Sequence, residues 1–133
     1  MLQQPLFRFL FVLIIFIALL HIAALELYFY WTLSWFDVLV HFLAGLWVGL
    51  GALWLVFLSG YITRFRLSYH SALFTAFIPI VVLGIGWELF EVWAGIPIEE
   101  KYLSDTVVDL SMDILGALSG YIYVIFTYIQ PTT

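Results

Sequence analysis

Three stretches carry side chains able to do chemistry: FDVLVHFLAG at 36–45, GWELFEVW at 86–93 and SDTVVDLSMD at 104–113. In the first, Asp37, His41, Gly45 and then Gly49 recur every fourth residue, which puts them on one face of a helix. In the last, Asp105, Asp109 and Asp113 do the same and are followed by Gly116 or Ala117 and by Gly120. The middle stretch has Gly84, Glu88 and Glu91 on one face. Carboxylates gathered with an imidazole in low dielectric cannot all stay ionised without a counter-charge, because burial and like neighbours both oppose ionisation. Such a cluster binds a cation, holds protons or pairs with basic groups. Pairing is the weakest of the three, because no Lys or Arg lies at this depth and Lys101 alone cannot balance the acids.

The elements that position these residues are membrane helices. Of the 133 residues, 65% are hydrophobic and 10% charged, too apolar for a soluble domain of this length to bury. Four apolar stretches, Leu6 to Phe29, Phe36 to Leu58, Ala72 to Trp93 and Thr106 to Tyr128, each suffice for a helix of roughly 20 residues across a bilayer core of about 30 Å. The expected fold is all-α, an integral-membrane four-helix up-down bundle forming a single domain over residues 1–133. The first stretch is too long for a signal peptide and has no convincing cleavage site, so it is expected to be retained. Pro79 should kink the third span. The absence of cysteine excludes disulfides, thiolate metal sites and cysteine catalysis.

Arg8, Arg64 and Arg66 fall on one face of the membrane in this topology, and the positive-inside tendency makes that face, with both termini, cytoplasmic. All nine acidic residues then lie toward the other side, offset only by Lys101. The expected location is the bacterial cytoplasmic (inner) membrane, as a multi-pass protein. Small residues further along each acidic stripe allow close helix contact, so these faces should point at one another. Asp113 lies roughly 12 Å along its helix from Asp105, and Glu88 and His41 about 7 to 9 Å from their helix ends. Together these residues predict an acidic pocket in the outer half of the bundle, lined by Asp37, His41, Glu88, Glu91, Asp109 and Asp113.

Structural explanations compete at several positions. Asp37 suits a first helical turn, and Ser104 or Asp105 could cap the fourth helix. Glu99 and Glu100 fit solvated loop charges, Glu26 could reach either the interface or the pocket, and His21 suits a helix-to-helix hydrogen bond. His70, in the basic loop, is expected to be uninvolved. Trp31, Trp35, Trp87 and Trp93 fit an interfacial aromatic belt. Glu88 and Glu91 resist such explanations because the dipole at a helix C-terminus disfavours negative charge. Asp109 and Asp113 lie too deep to be caps. A charge in hydrocarbon costs on the order of 3 kcal/mol, so these four point to function.

DVLVHFLAG, WELFEVWAG and SDTVVDLSMDILGALSG together resemble the YjdF-like bacterial inner-membrane proteins and, more distantly, the VanZ-like proteins named for low-level teicoplanin resistance. Asp37 and His41 match the Asp-x-x-x-His of both families, and Glu88 matches their third-span glutamate. Asp105, Thr106 and Asp109 match the Asp-Thr-x-x-Asp of the YjdF-like group, with Gly116 following. Val38, Glu91 and Asp113 depart from the VanZ-like pattern, the last two making this chain more acidic. The resemblance implies a relative without implying a reaction.

Three functions remain open on the residues. The first is a metal site with Asp37, His41, Glu88, Glu91, Asp109 and Asp113 as ligands; oxygen-rich ligation with one imidazole suits Mg, Mn or Ca, with Zn or Fe as further choices. Such a metal could grip a lipid phosphate at the outer leaflet, with Glu91 or His41 as general base. No arginine or lysine clamp for a phosphate accompanies it. The second is a proton- or cation-coupled carrier, for which four spans without an inverted repeat would require a homodimer. The third is a non-catalytic scaffold or binding protein. Membrane lipids are the expected partners in every case, and no nucleic acid is expected.

Overall fold

The structure, a computed structural model, describes residues 3–62, 64–95 and 102–129. Helix α1 spans Gln3–Glu26, the short α2 Phe29–Thr32, α3 Phe36–Leu53, α4 Tyr69–Ala94 and α5 Tyr102–Tyr128. No strand occurs among the described residues. Four helices are long and apolar enough to cross a membrane, over Pro5–Glu26, Phe36–Leu58, Tyr69–Ala94 and Leu103–Tyr128. The second span continues α3 through a π-helical turn, Trp54–Leu58, closed by the Ser59 N–H donating to the Trp54 carbonyl at 2.7 Å. Pro79 lies inside α4, which remains one element.

Contacts along the chain fix the helix directions. The Trp47 Nε1–H donates to the Leu10 carbonyl at 2.9 Å and Trp54 packs on Phe7, so α1 and α3 run antiparallel. Gly45 faces Asp113 and Gly49 faces Ala117, so α3 and α5 run parallel. Tyr121 reaches the Tyr69 carbonyl while Thr106 meets Glu88, so α4 and α5 are antiparallel. Successive spans therefore alternate in direction.

Glycine sets how closely α3 and α5 approach. A Cβ on Gly45 would strike the Asp113 carbonyl oxygen, and one on Gly116 the Phe42 carbonyl oxygen. At Gly49 it would stand 2.8 Å from the Ala117 Cα, and at Gly120 2.9 Å from Leu50 Cγ. Lipid tails are as apolar as leucine, so burial alone does not drive these helices together, and close backbone packing across small residues does. The large apolar side chains point outward, as at Phe11, Val12, Phe74, Leu89 and Phe126.

The two ends of the bundle differ. Around the start of α1, Leu6, Leu10, Leu50, Leu53, Ala72, Ala76, Val124 and Ile125 form an apolar core. Beside it runs an apolar groove of about 300 Å³ between α1, α3 and α5. The other end holds the buried Glu88, Asp109 and Asp113. There α1 stops at Glu26, three residues before the end expected from hydropathy, because Tyr28 takes a left-handed conformation (φ 59°) that turns the chain into α2. Phe29 and Tyr30 of α2 pack on the buried Phe36, anchoring the first turn of α3 beside Asp37.

Candidate functional site

Asp37 and His41 lie one turn apart on α3, and Asp109 and Asp113 one turn apart on α5. These helices run parallel at glycine contact distance with Gly45 level with Asp113 and Gly49 with Ala117, a register that sets His41 level with Asp109, Asp37 one turn to one side and Asp113 one turn to the other. The His41 Nε2 stands 3.8 Å from the Asp37 Oδ1 and 3.9 Å from the Asp109 Oδ2, and its Nδ1 stands 3.4 Å from the Asp113 Oδ1. The imidazole is thus ringed by carboxylates, with its side chain only 14% exposed. Asp37 is the open edge of the cluster at 37%, whereas Asp109 and Asp113 are buried.

One donor atom each from Asp37, His41 and Asp109 lies within 4.8 Å of the others, a group that could hold a metal ion. Ligand atoms about 2.1 Å from a small divalent ion stand roughly 3 to 3.5 Å apart, and those about 2.4 Å from a larger one roughly 3.4 to 3.9 Å apart. The two separations from Nε2 match the wider set. The buried Oδ1 of Asp109 has no hydrogen-bond partner, although buried carboxylate oxygens are ordinarily satisfied. A cation held through both Asp109 oxygens would satisfy it.

Charge balance points the same way. Arg8 lies at the start of α1, and Arg64 and Arg66 follow α3, all at the apolar end of the bundle. Among the described residues, His41 is therefore the one basic side chain set among these carboxylates.

A family model described as a predicted membrane protein, DUF2238, matches residues 2–130, and so takes in every span and every element of the cluster. The chain belongs to the DUF2238 family. This agrees with the resemblance to the YjdF-like proteins. No curated protein and no solved structure matches the chain. As a DUF2238 member with four candidate spans, it is a multi-pass membrane protein.

The remaining expected site residues fall in different places. Glu88 of α4 is buried and its Oε2 accepts a hydrogen bond from the Thr106 hydroxyl at 2.6 Å; it is not in the His/Asp metal group. The side chain of Glu91 lies outside the described residues, as do Glu99, Glu100 and Lys101. Asp113 faces the opposite ring nitrogen of His41 from Asp37 and Asp109. Asp105 and Glu26 are exposed, and so is His70 at the start of α4. His21 pairs its Nδ1 with the Tyr30 hydroxyl at 2.7 Å, a partner in α2 and not in another span. Trp31, Trp35, Trp87 and Trp93 are all exposed near this end.

Helical spacing gives no role to Tyr30, and Thr106 enters only through the Asp-Thr-x-x-Asp resemblance. The Thr106 hydroxyl supports Glu88 from one residue beyond Asp105. Tyr30 lies outside the spans, and burial together with the negative charge of Asp37 pushes its phenol up to about 12.

Proposed function

We propose that this protein binds one divalent cation through Asp37, His41 and Asp109, on the extracytoplasmic side of a bacterial cytoplasmic membrane. The observation that carries the proposal is the convergence of one donor atom each from Asp37, His41 and Asp109, on two helices, with the buried Oδ1 of Asp109 left without a hydrogen-bond partner. Carboxylate oxygens favour Mg, Mn or Ca, the single imidazole brings Zn within range, and the wide ligand spacing favours the larger ions. A cation there would give this end of the bundle its main positive charge, and the open edge at Asp37 faces the headgroup zone. A lipid phosphate is the ligand such a cation would recognise, its oxygen completing the coordination. With His41 engaged as a ligand, Glu91 is the residue the sequence offers as general base to take a proton from a water that attacks that phosphate. The more distant kinship with VanZ-like proteins rests on two motifs, the Asp-x-x-x-His of Asp37 and His41 and the third-span Glu88.

The test is metal content. The protein is purified in detergent without chelator, with Asp109→Asn beside it, and both are measured by mass spectrometry. Near-stoichiometric divalent metal in the wild type that disappears in the variant is expected. Absence of metal from the wild type, even after incubation with excess Mg, Mn, Ca and Zn, would overturn the proposal and leave proton-holding carboxylates as the account. A tag at Thr133 that is reached from outside the cell would instead move the site to the cytoplasmic face.

A further inference from the structure

We infer that Asp113 and Gly84 are positioning residues for the cation site: Asp113 orients the His41 ring from the side away from the ion, and Gly84 makes room for the Asp113 carboxylate. The inference rests on the cation reading above and assigns parts to residues that are not ligands in it.

The two nitrogens of an imidazole point away from each other, so one ion bonds to only one of them. Asp37 and Asp109 both face Nε2, at 3.8 and 3.9 Å, while Asp113 faces Nδ1 at 3.4 Å. An ion shared by Asp37, His41 and Asp109 therefore sits at Nε2, across the ring from Asp113. A neutral imidazole carries one proton, and its position follows the acceptor available to each nitrogen. A carboxylate at Nδ1 draws that proton there, leaves the Nε2 lone pair free for the ion and holds the ring plane, the arrangement of a carboxylate–histidine–metal relay.

Asp113 is itself held from two sides. On the α3 side its backbone packs on Gly45, where a Cβ would collide with its carbonyl oxygen. On the α4 side a Cβ at Gly84 would come within 2.9 Å of the Asp113 Oδ2 and 2.8 Å of the Leu110 Cδ2. Leu110 can swing aside, but the carboxylate has His41 on its other oxygen and little freedom. A methyl group at position 84 would therefore displace the Asp113 carboxylate and turn the His41 ring with it.

The experiment titrates Co²⁺ into detergent-purified protein, following the visible ligand-field bands for geometry, equilibrium dialysis for affinity and stoichiometry, and thermal unfolding for stability. Asp113→Leu and Gly84→Ala should still bind one ion with unchanged band positions but roughly 10- to 100-fold more weakly, the usual effect of losing an outer-shell partner. Asp113→Asn keeps an acceptor oxygen and should recover a large part of the loss. A purely structural role would lower the unfolding temperature and leave the dissociation constant alone, which overturns the inference. Bands that shift in Asp113→Asn would make Asp113 a ligand and also overturn it, with the cation site intact. If Gly84→Ala does not fold, the Asp113 pair decides. A wild type that binds no Co²⁺ fails the cation reading itself, and this inference with it.

Discussion

The apolar end and the acidic end of the bundle share three helices, α3, α4 and α5, yet solve opposite problems. At the apolar end Leu53, Ala72, Ala76 and Val124 are completely buried and fill the space between helices. At the acidic end Asp109 and Asp113 are buried nearly as fully, but around a histidine. A glycine seam connects the ends and fixes α3 and α5 at one distance for both. The seam and the apolar end carry close packing, whereas the acidic end sets buried carboxylates around His41, which costs stability unless a cation, a proton or His41 offsets them.

The most severe way to break this comparison is to part the seam. Gly116→Leu would drive a side chain into the Phe42 carbonyl and the Leu46 backbone, neither of which can move independently of α3. No folded protein is expected: expression should fall to background, or the protein should leave a sizing column as aggregate. Recovery of a monodisperse protein of wild-type stability would show that the parallel contact of α3 and α5 is not what holds the bundle.

A smaller perturbation sharpens the contrast between ends. Leu53→Ala leaves a cavity at a fully buried position and should cost about 2 kcal/mol, near the low end for core truncations because lipid already solvates apolar groups. Asp109→Leu, at a similarly buried position, should stay within about 1 kcal/mol of wild type or exceed it, since it removes a charge from a crowd of like charges and replaces it with an apolar side chain. Unfolding in detergent without added metal measures both. If Asp109→Leu proves the more damaging of the two, the acidic end is structural.

Hydropathy and helical spacing made the membrane helices and the acidic faces legible, because apolar runs and a four-residue period are local properties. The meeting of Asp37 and His41 with Asp109 was also legible, since Gly45, Gly49, Gly116 and Gly120 mark the faces that must touch. What spacing could not resolve was azimuth around the histidine ring: Asp109 and Asp113 look equivalent in sequence, yet face opposite nitrogens. Nor did it show the turn at Tyr28, where an aromatic run continues the hydropathy signal while the backbone leaves the helix. That turn delivers Tyr30 to His21 and sets it near Asp37, contacts that depend on tertiary position alone.

Tyr30 gives the smallest effect and shows how far the charge of the acidic end reaches. Its hydroxyl lies 2.7 Å from the His21 Nδ1, so Tyr30→Phe should cost about 1 kcal/mol near neutral pH through the lost hydrogen bond. Burial and the Asp37 carboxylate raise the phenol from 10.0 to about 12 in the folded protein. Between these two values the unfolded chain has released the proton and the folded chain still holds it, so the unfolded state binds fewer protons and stability falls as pH rises. Phenylalanine has no such proton, and the other tyrosines, common to both proteins, cancel in the difference. The stability advantage of wild type over Tyr30→Phe should therefore be steady up to about pH 10 and shrink from there toward pH 12. Thermal unfolding of the two proteins side by side across that range measures it. A constant gap would mean that neither burial nor Asp37 acts on Tyr30, and that the influence of the acidic cluster ends within α3.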